Sequence, residues 1–263
     1  MPKIMKTTLC FLLLSALVLY GEAAGHCGKT YAETNESNEM MDDNGFLPRD
    51  GAGNGKVAYL TFDDGPSLNT IPILDILDKY KIKATFFVMA NPSEEGILGY
   101  EEMIKRGHAI ALHTYTHDYT KIYTSTDQFF QNISHLESFL WKNFSIKTKI
   151  LRFPGGSRNS SSKIYGGPGI MRDIIKESKE KGYTYFDWNI DSKDGISPNI
   201  SIYTITSQVL NGARGKDQAI ILLHDINAMD NTVKALPTII EGLKEQGFTF
   251  RVIDEHTEAV QFK

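Results

Sequence analysis

The sequence predicts an α/β domain built as a distorted (β/α) barrel with about seven parallel strands. Short apolar runs of β type recur after position 56, and helical patterns separate most of them. The chain has 263 residues, of which 41% are hydrophobic and 23% charged, so it can bury one sizeable core. Strands that alternate with helices form parallel βαβ units, which favour a barrel and leave a doubly wound open sheet as the alternative.

The first 55 residues differ in composition from the predicted barrel. Two lysines precede an apolar run that ends at Tyr20, and small residues follow at Gly21 and Ala23. This pattern predicts a secretory signal peptide over residues 1–23, with an uncleaved anchor as the alternative. Residues 24–55 are polar and acidic without a period, which predicts a flexible spacer. We therefore expect a secreted or cell-surface, extracellular protein with no membrane span after signal cleavage.

The predicted barrel domain covers residues 56–263 and begins with a strand. Its predicted strands are apolar runs, most of them bounded by polar or turn-forming residues. They are Val57–Phe62, Ala84–Ala90, Ala109–His113, Lys149–Phe153, Thr184–Trp188, Ala219–His224 and Phe248–Ile253.

Helices are predicted where apolar residues recur at helical spacing between these runs. The clearest are Ile71–Tyr80, Phe129–Trp141 and Thr232–Gln246. The last of them ends at Gly247, a residue typical of helix C-termini.

The overall charge argues against some partners. The formal net charge is −4 at pH 7, and no basic run is present. A field of this sign does not favour nucleic acid or an anionic membrane surface. We expect a monomer with no nucleic-acid partner.

Polar side chains occur at the ends of successive predicted strands, which meet at one face of a (β/α) barrel. These residues are Asp63, Asp64, His113, Arg152, Asp187, Trp188, His224 and Asp225. His117 follows His113 at a spacing that lets two imidazoles on a helical turn share one cation. Zn²⁺ accepts neutral imidazole, and a carboxylate would complete a three-ligand site with an open position.

Two adjacent carboxylates, Asp63 and Asp64, end the first predicted strand. Because neighbouring residues of a strand point to opposite faces, a turn at Gly65 and Pro66 is needed to bring both into one site. One carboxylate could then bind the cation while the other stays free to act as a base. A solvated turn without function is the alternative, because Asp-Asp-Gly-Pro is ordinary turn chemistry.

Five segments in order carry a family resemblance: "TFDDGPS", "HTYTH", "RFPGGS", "DWN" and "LLH". They resemble the motifs of the NodB-homology polysaccharide deacetylases, carbohydrate esterase family 4, and the match extends from about residue 56 to the C-terminus. The resemblance implies a distorted (β/α) barrel and metal-dependent removal of N- or O-acetyl groups from sugars.

The resemblance also implies roles for individual residues. Asp63 is expected to be the catalytic base, Arg152 to hold that base, and His224 to be the catalytic acid, with Asp187 favouring its charged form. Asp64, His113 and His117 are the expected metal ligands, for one divalent ion per chain, Zn²⁺ or alternatively Co²⁺. The substrate contacts are expected from Gly155, through its backbone N–H, and from Trp188 and Leu222, which would form an apolar slot for the acetyl methyl group.

Two positions depart from the family pattern. The third motif more often has a tyrosine after its proline, where this chain has Gly155. The fuller fourth motif has an arginine three residues after its tryptophan, where this chain has Asp191. We therefore expect a changed groove wall and no orientation of the catalytic groups by the family arginine.

The expected substrate is an acetylated extracellular polysaccharide. Peptidoglycan N-acetylglucosamine is the first choice, and chitin oligomers, another poly-N-acetylglucosamine and O-acetylated xylan are alternatives. A secreted sugar-binding protein without catalysis and a metal-dependent amidase for small cyclic amides are two further alternatives. The sugar-binding protein is disfavoured because the chain retains every expected base, ligand and acid: Asp63, Asp64, His113, His117 and His224. The predicted signal peptide disfavours the amidase.

Overall fold

The structure is a computed structural model that describes residues 55–263. The predicted signal peptide over 1–23 and all but the last residue of the predicted spacer over 24–55 lie outside the described residues. Within the described part of the chain, no helix has the length and apolar character that crossing a membrane requires.

One sheet contains all eight strands of the described domain, and every pairing in it is parallel. The strands are β1 (Lys56–Asp63), β2 (Thr85–Val88), β3 (Ala109–Leu112), β4 (Ile150–Leu151), β5 (Thr184–Tyr185), β6 (Ile190–Asp191), β7 (Gln218–His224) and β8 (Phe248–Phe250). Their order is β5-β4-β3-β2-β1-β7-β6, and β8 pairs with the first residues of β1. The sheet is a curled half-barrel of an α/β protein, which confirms the predicted fold class.

Helices connect these strands, and the longer ones pack on the outer face of the curled sheet. The helices are α1 (Thr70–Lys79), α2 (Glu94–Lys105), α3 (Tyr119–Ile122), α4 (Thr126–Phe144), α5 (Ser162–Gly166), α6 (Ile170–Glu180), α7 (Ile202–Ala213) and α8 (Asp230–Glu245). The three helices predicted from periodicity correspond to α1, α4 and α8, and their apolar faces are largely buried.

Alternation along β1 sorts its side chains between two apolar clusters. Leu60 and Phe62 belong to the large cluster that also contains helix residues such as Leu74 and Leu236. Tyr59 belongs to a smaller cluster, most of whose buried members lie in strands, and this cluster is the interior of the curled sheet. Since side chains alternate with a period of two, Asp63 shares the inner face with Tyr59 and lies at the mouth of the half-barrel.

All seven predicted strands are present, but most are shorter than their apolar runs. The predicted strand Thr184–Trp188 is only Thr184–Tyr185, and Phe248–Ile253 is only Phe248–Phe250. The structure adds Ile190–Asp191, which was not predicted. A strand of two residues is too short to produce a periodic pattern.

The segment 251–263 follows β8 and runs through the half-barrel beside β5. Ile253 belongs to the inner cluster, and Val260 packs against it. The carbonyl of Val260 accepts a hydrogen bond from the N–H of Asp187 at 2.8 Å, and the side chain of Gln261 donates to the carbonyl of Tyr185 at 3.1 Å. The segment therefore fills space that a closed barrel would give to further strands.

Candidate active site

Asp63 and Asp64 both face the mouth of the half-barrel, because the backbone turns at Asp64 itself. Asp64 has a φ of 75°, in the left-handed region, and this breaks the alternation of the strand. Oδ1 of Asp64 lies 3.3 Å from Nε2 of His113, and Oδ2 of Asp63 lies 3.9 Å from the same nitrogen. The predicted convergence of the two carboxylates is present, and it begins one residue before the predicted turn.

Asp64, His113 and His117 form a three-residue cluster that could hold a metal ion. One ligand atom from each residue lies within 4.8 Å of the others. Nε2 of His117 lies 3.5 Å from Oδ1 of Asp64. The two histidines are not on a helical turn as predicted: they lie in a loop after β3, where His117 has a φ of 52° and its N–H donates to Oγ1 of Thr114 at 3.1 Å.

The hydrogen bonds of the cluster suit a cation. Nδ1 of His113 lies 2.9 Å from the carbonyl oxygen of Arg152, so Nδ1 carries a proton and Nε2 is the nitrogen that faces the cluster and would bind a cation. Oδ1 of Asp64 is buried and accepts no hydrogen bond within the described residues. A cation between these atoms would satisfy that oxygen, and one carboxylate with two imidazoles is a ligand set that Zn²⁺ accepts.

The electrostatics of the cluster favour the ligand forms of two side chains. Burial alone would raise the pKa of Asp64, but contact with His113 and the charges of His117 and His224 hold it well below its usual range. Burial and the neighbouring His113 lower the pKa of His117, so its imidazole is neutral. A carboxylate and a neutral imidazole are the protonation states that bind metal ions.

Arg152 holds Asp63 in place from inside the half-barrel. Its guanidinium is fully buried, and Nη1 donates to Oδ1 of Asp63 at 2.8 Å and to Oγ1 of Thr61 at 2.7 Å. Nε donates to the carbonyl of Phe186 at 3.0 Å and Nη2 to the carbonyl of Asp187 at 3.1 Å. These contacts fix one oxygen of Asp63 and leave Oδ2 facing the cluster.

His224 lies beside Asp63 because β7 pairs with β1 in a register that makes the two residues partners. Its Nδ1 lies 2.8 Å from Oδ1 of the buried Asp194, whose Oδ2 accepts from the N–H of His224 and from Oγ1 of Thr232, each at 2.8 Å. Burial would lower the pKa of His224, but Asp194 outweighs it and raises the pKa to about 9. The imidazole is therefore charged at neutral pH.

The predicted pairing of Asp187 with His224 is wrong. The carboxylate of Asp187 accepts from the N–H and Oγ of Ser157, at 2.8 Å and 2.5 Å, and from the N–H of Phe262 at 2.8 Å. The sheet order explains the error: Asp187 follows β5, at one end of the strand path, whereas Asp194 follows β6, the neighbour of β7. Asp187 instead ties the loop after β4 to the segment 251–263.

Gly155 lies in that loop with a free backbone donor. It has a φ of 74°, is exposed, and its N–H makes no hydrogen bond within residues 55–263. A Cβ at this position would lie 2.5 Å from Oη of Tyr119 and 3.0 Å from Cβ of Asn159, so it would collide with the hydroxyl and crowd Asn159. The backbone conformation and the close approach of Tyr119 both favour glycine here.

Trp188 and Leu222 border the site on its apolar side. Leu222 is 5% exposed, and it shares the inner face of β7 with Ile220 and His224 because of the strand alternation. Trp188 is partly buried, and its ring packs edge-on against Phe262 with centroids 5.1 Å apart. Both side chains lie where they could line an apolar wall, and their contact with the acetyl group stays a prediction.

Comparison with known proteins identifies the family. The sequence profile of the polysaccharide deacetylases matches residues 50–185. The chain belongs to the polysaccharide deacetylase family. Its members act on acetylated sugars as hydrolases, which places this chain in that enzyme class.

Individual relatives of this polysaccharide deacetylase differ in their named substrates. A peptidoglycan-N-acetylglucosamine deacetylase of Bacillus cereus is 31% identical over 77% of this chain and 71% of its own length. A bifunctional xylanase/deacetylase of Pseudobutyrivibrio xylanivorans is 37% identical over 77% of this chain, which spans only 30% of that protein. Among solved structures, the catalytic domain of a peptidoglycan N-acetylglucosamine deacetylase from Eubacterium rectale has a TM-score of 0.74 and 36% identity, covering 80% of this chain and 93% of that one.

Two residues of the deacetylase site were not predicted from the sequence. Asp194 follows a strand of two residues, so nothing in the apolar pattern placed it at a strand end. Tyr119 lies two residues after His117, and only that proximity could have suggested it.

Asp191, which occupies the place of the family arginine, accepts hydrogen bonds from the N–H and Nζ of Lys193 at 2.8 Å and 2.6 Å. It therefore stabilises its own turn.

Proposed function

We propose that this polysaccharide deacetylase is a secreted, metal-dependent enzyme that removes the N-acetyl group of N-acetylglucosamine in peptidoglycan and releases acetate. One observation carries the proposal: the buried Oδ1 of Asp64, without a hydrogen-bond partner in the described part of the chain, faces His113 and His117, beside a carboxylate at Asp63 and a charged imidazole at His224. A cation site between a base and an acid is the arrangement that amide hydrolysis needs.

The proposed cofactor is one divalent cation per chain, held by Asp64, His113 and His117. When bound, such a cation lowers the pKa of water and polarises an acetyl carbonyl. Two imidazoles and one carboxylate favour Zn²⁺, with Co²⁺ as an alternative.

Asp63 is the proposed base. Its Oδ1 is fixed by Arg152, so Oδ2 is the oxygen that accepts the proton of the attacking water. The exposed N–H of Gly155 is the proposed donor to the acetyl oxygen as that oxygen gains negative charge. Trp188 and Leu222 would contact the acetyl methyl group, because they supply the apolar side of the site.

His224 is the proposed acid. Asp194 holds its Nδ1, so Nε2 is the atom that gives a proton to the leaving nitrogen of the sugar. The products are acetate and a free amino sugar, and the chemistry requires no covalent enzyme intermediate.

The choice of peptidoglycan is supported by the names of the relatives from Bacillus cereus and Eubacterium rectale. The predicted signal peptide supports an extracellular substrate. The relative that combines a xylanase with a deacetylase favours one second candidate, removal of O-acetyl groups from xylan by the same site.

The proposal is tested by acetate release from peptidoglycan, chitin oligomers and acetylated xylan, with wild-type protein and a His113→Ala variant. We expect the fastest release from peptidoglycan and almost none with the variant, because His113 is a proposed ligand. Faster release from xylan would favour the second candidate. Binding of a glycan without acetate release from any substrate, by protein loaded with Zn²⁺, would contradict an enzyme and favour a sugar-binding protein.

A further inference from the structure

Tyr119 lies between the metal cluster and the loop of Gly155. It is the first residue of α3, which begins two residues after His117. Its ring packs against the ring of His117, with centroids 5.4 Å apart, and against Tyr123 at 5.1 Å. The side chain is partly buried, so these two rings restrict its orientation.

The hydroxyl of Tyr119 points at Gly155. It would lie 2.5 Å from a Cβ built on Gly155, whereas the ring carbon Cζ would lie 3.6 Å away. The hydroxyl therefore occupies the space where a side chain at position 155 would begin. Within the described residues this hydroxyl makes no hydrogen bond.

The neighbouring Tyr123 shows what a structural tyrosine does in the same place. It is fully buried, and its hydroxyl donates to the carbonyl of Pro154 at 2.8 Å. Within the described residues, the Tyr119 hydroxyl makes no such hydrogen bond to the loop, although it lies beside it. A restrained donor that has no partner among residues 55–263, next to the Gly155 N–H that likewise has none there, is available to a bound molecule.

We propose that the Tyr119 hydroxyl is a catalytic hydrogen-bond donor to the acetyl oxygen of the substrate. The inference rests on the proposed function, in which the Gly155 N–H donates to the same oxygen. Because the oxygen gains negative charge only as the carbonyl is attacked, the contact is strongest in the transition state. The donor is held by packing against His117 and Tyr123, so little reorganisation is needed when the charge develops.

The test is steady-state kinetics of a Tyr119→Phe variant on the best acetylated glycan. The substitution removes the hydroxyl and keeps the ring packing. We expect kcat to fall about 100- to 1000-fold with little change in KM, as for loss of one oxyanion donor. Metal content and the thermal unfolding midpoint should match the wild type. Tyr80→Phe is the matched control, because it removes a phenol hydroxyl that binds Glu241 on α8, and it should leave kcat unchanged.

Three results would overturn the inference alone, and a fourth would overturn it together with the proposed function. A Tyr119→Phe variant as active as the wild type would show that the hydroxyl does not act on the substrate. A raised KM with unchanged kcat would make it a contact to the sugar in the ground state. A loss of bound metal would make it a support of His117. Wild-type protein inactive on every acetylated glycan would overturn the proposed function and this inference together.

Discussion

At the scale of single residues, the left-handed backbone of Asp64 lets two adjacent carboxylates take different surroundings. Asp63 stays on the inner face of the strand and binds Arg152. Asp64 turns toward His113 and His117, with one oxygen left without a hydrogen bond in the described domain. The two side chains are neighbours in sequence, yet only Asp64 belongs to the metal cluster.

Substitution by asparagine should separate the two roles. Asp63→Asn removes the base and keeps the cluster, so kcat should fall about a thousandfold while metal content stays near one ion per chain. Asp64→Asn removes the anionic ligand, so the affinity for Zn²⁺ should fall. Elemental analysis and acetate-release kinetics measure both effects. Equal loss of metal in the two variants would contradict this division.

The sequence predicted most of the site because its residues occur at strand ends. Asp63, His113, Arg152 and His224 follow apolar runs that are real strands, and parallel strands end at the same edge. Asp194 could not be predicted in this way. It follows the two-residue strand Ile190–Asp191, and its contact with His224 depends on the pairing of that strand with β7.

The pairing of His224 with Asp194 predicts a pH effect. The imidazole must be protonated to act as an acid, and Asp194 raises its pKa to about 9. Activity should therefore fall as the pH rises through this pKa, which gives the alkaline limb of the pH–rate profile. Without the carboxylate the charged form is less stable, so the folded-state pKa decreases. Asp194→Asn should therefore move the alkaline limb of the kcat/KM profile to lower pH.

The matched control for this pH effect is Asp187→Asn. Asp187 binds Ser157 and Phe262, so its substitution should lower the rate without moving the alkaline limb. If the alkaline limb moved in Asp187→Asn and stayed in place in Asp194→Asn, the result would support the pairing of Asp187 with His224 that the sequence suggested.

At the scale of elements, the loop after β4 depends on the segment 251–263. Asp187 accepts hydrogen bonds from both, and the ring of Phe262 packs on Trp188. A Cβ at Gly156 would lie 3.0 Å from Phe262 and from Trp188, so the loop and the segment are in close contact. The position of the Gly155 N–H therefore depends on residues more than 100 positions later in the chain.

Phe262→Ala should affect both stability and rate. Losing a partly buried aromatic ring should lower the free energy of unfolding by about 1 to 3 kcal/mol, as measured by urea denaturation. The rate should fall several-fold, because the loop that carries Gly155 loses a packing partner.

Phe250→Ala is the control for this prediction. Phe250 is also partly buried, but it lies in β8, which pairs with the start of β1 and away from the site. Its substitution should destabilise the protein and leave kcat nearly unchanged. If both variants lost rate in proportion to stability, the segment would have no specific link to the site.

At the scale of the whole molecule, alternating strands and helices were enough to predict an α/β barrel of parallel strands. They could not predict how far the sheet closes. That depends on β5 and β6, which have two residues each, and on hydrogen bonds from Val260 and Gln261 across the sequence. Such contacts between distant segments leave no local periodicity.

The most direct test of the central claim is a Zn²⁺ titration of chelator-treated protein, followed by acetate release from an N-acetylglucosamine glycan. If Asp64, His113 and His117 hold one essential cation, activity should be absent without metal and rise linearly to a plateau at about one equivalent. A His117→Ala variant should need a large excess of Zn²⁺. Full activity in the chelated protein, or an unchanged titration in the variant, would contradict the claim.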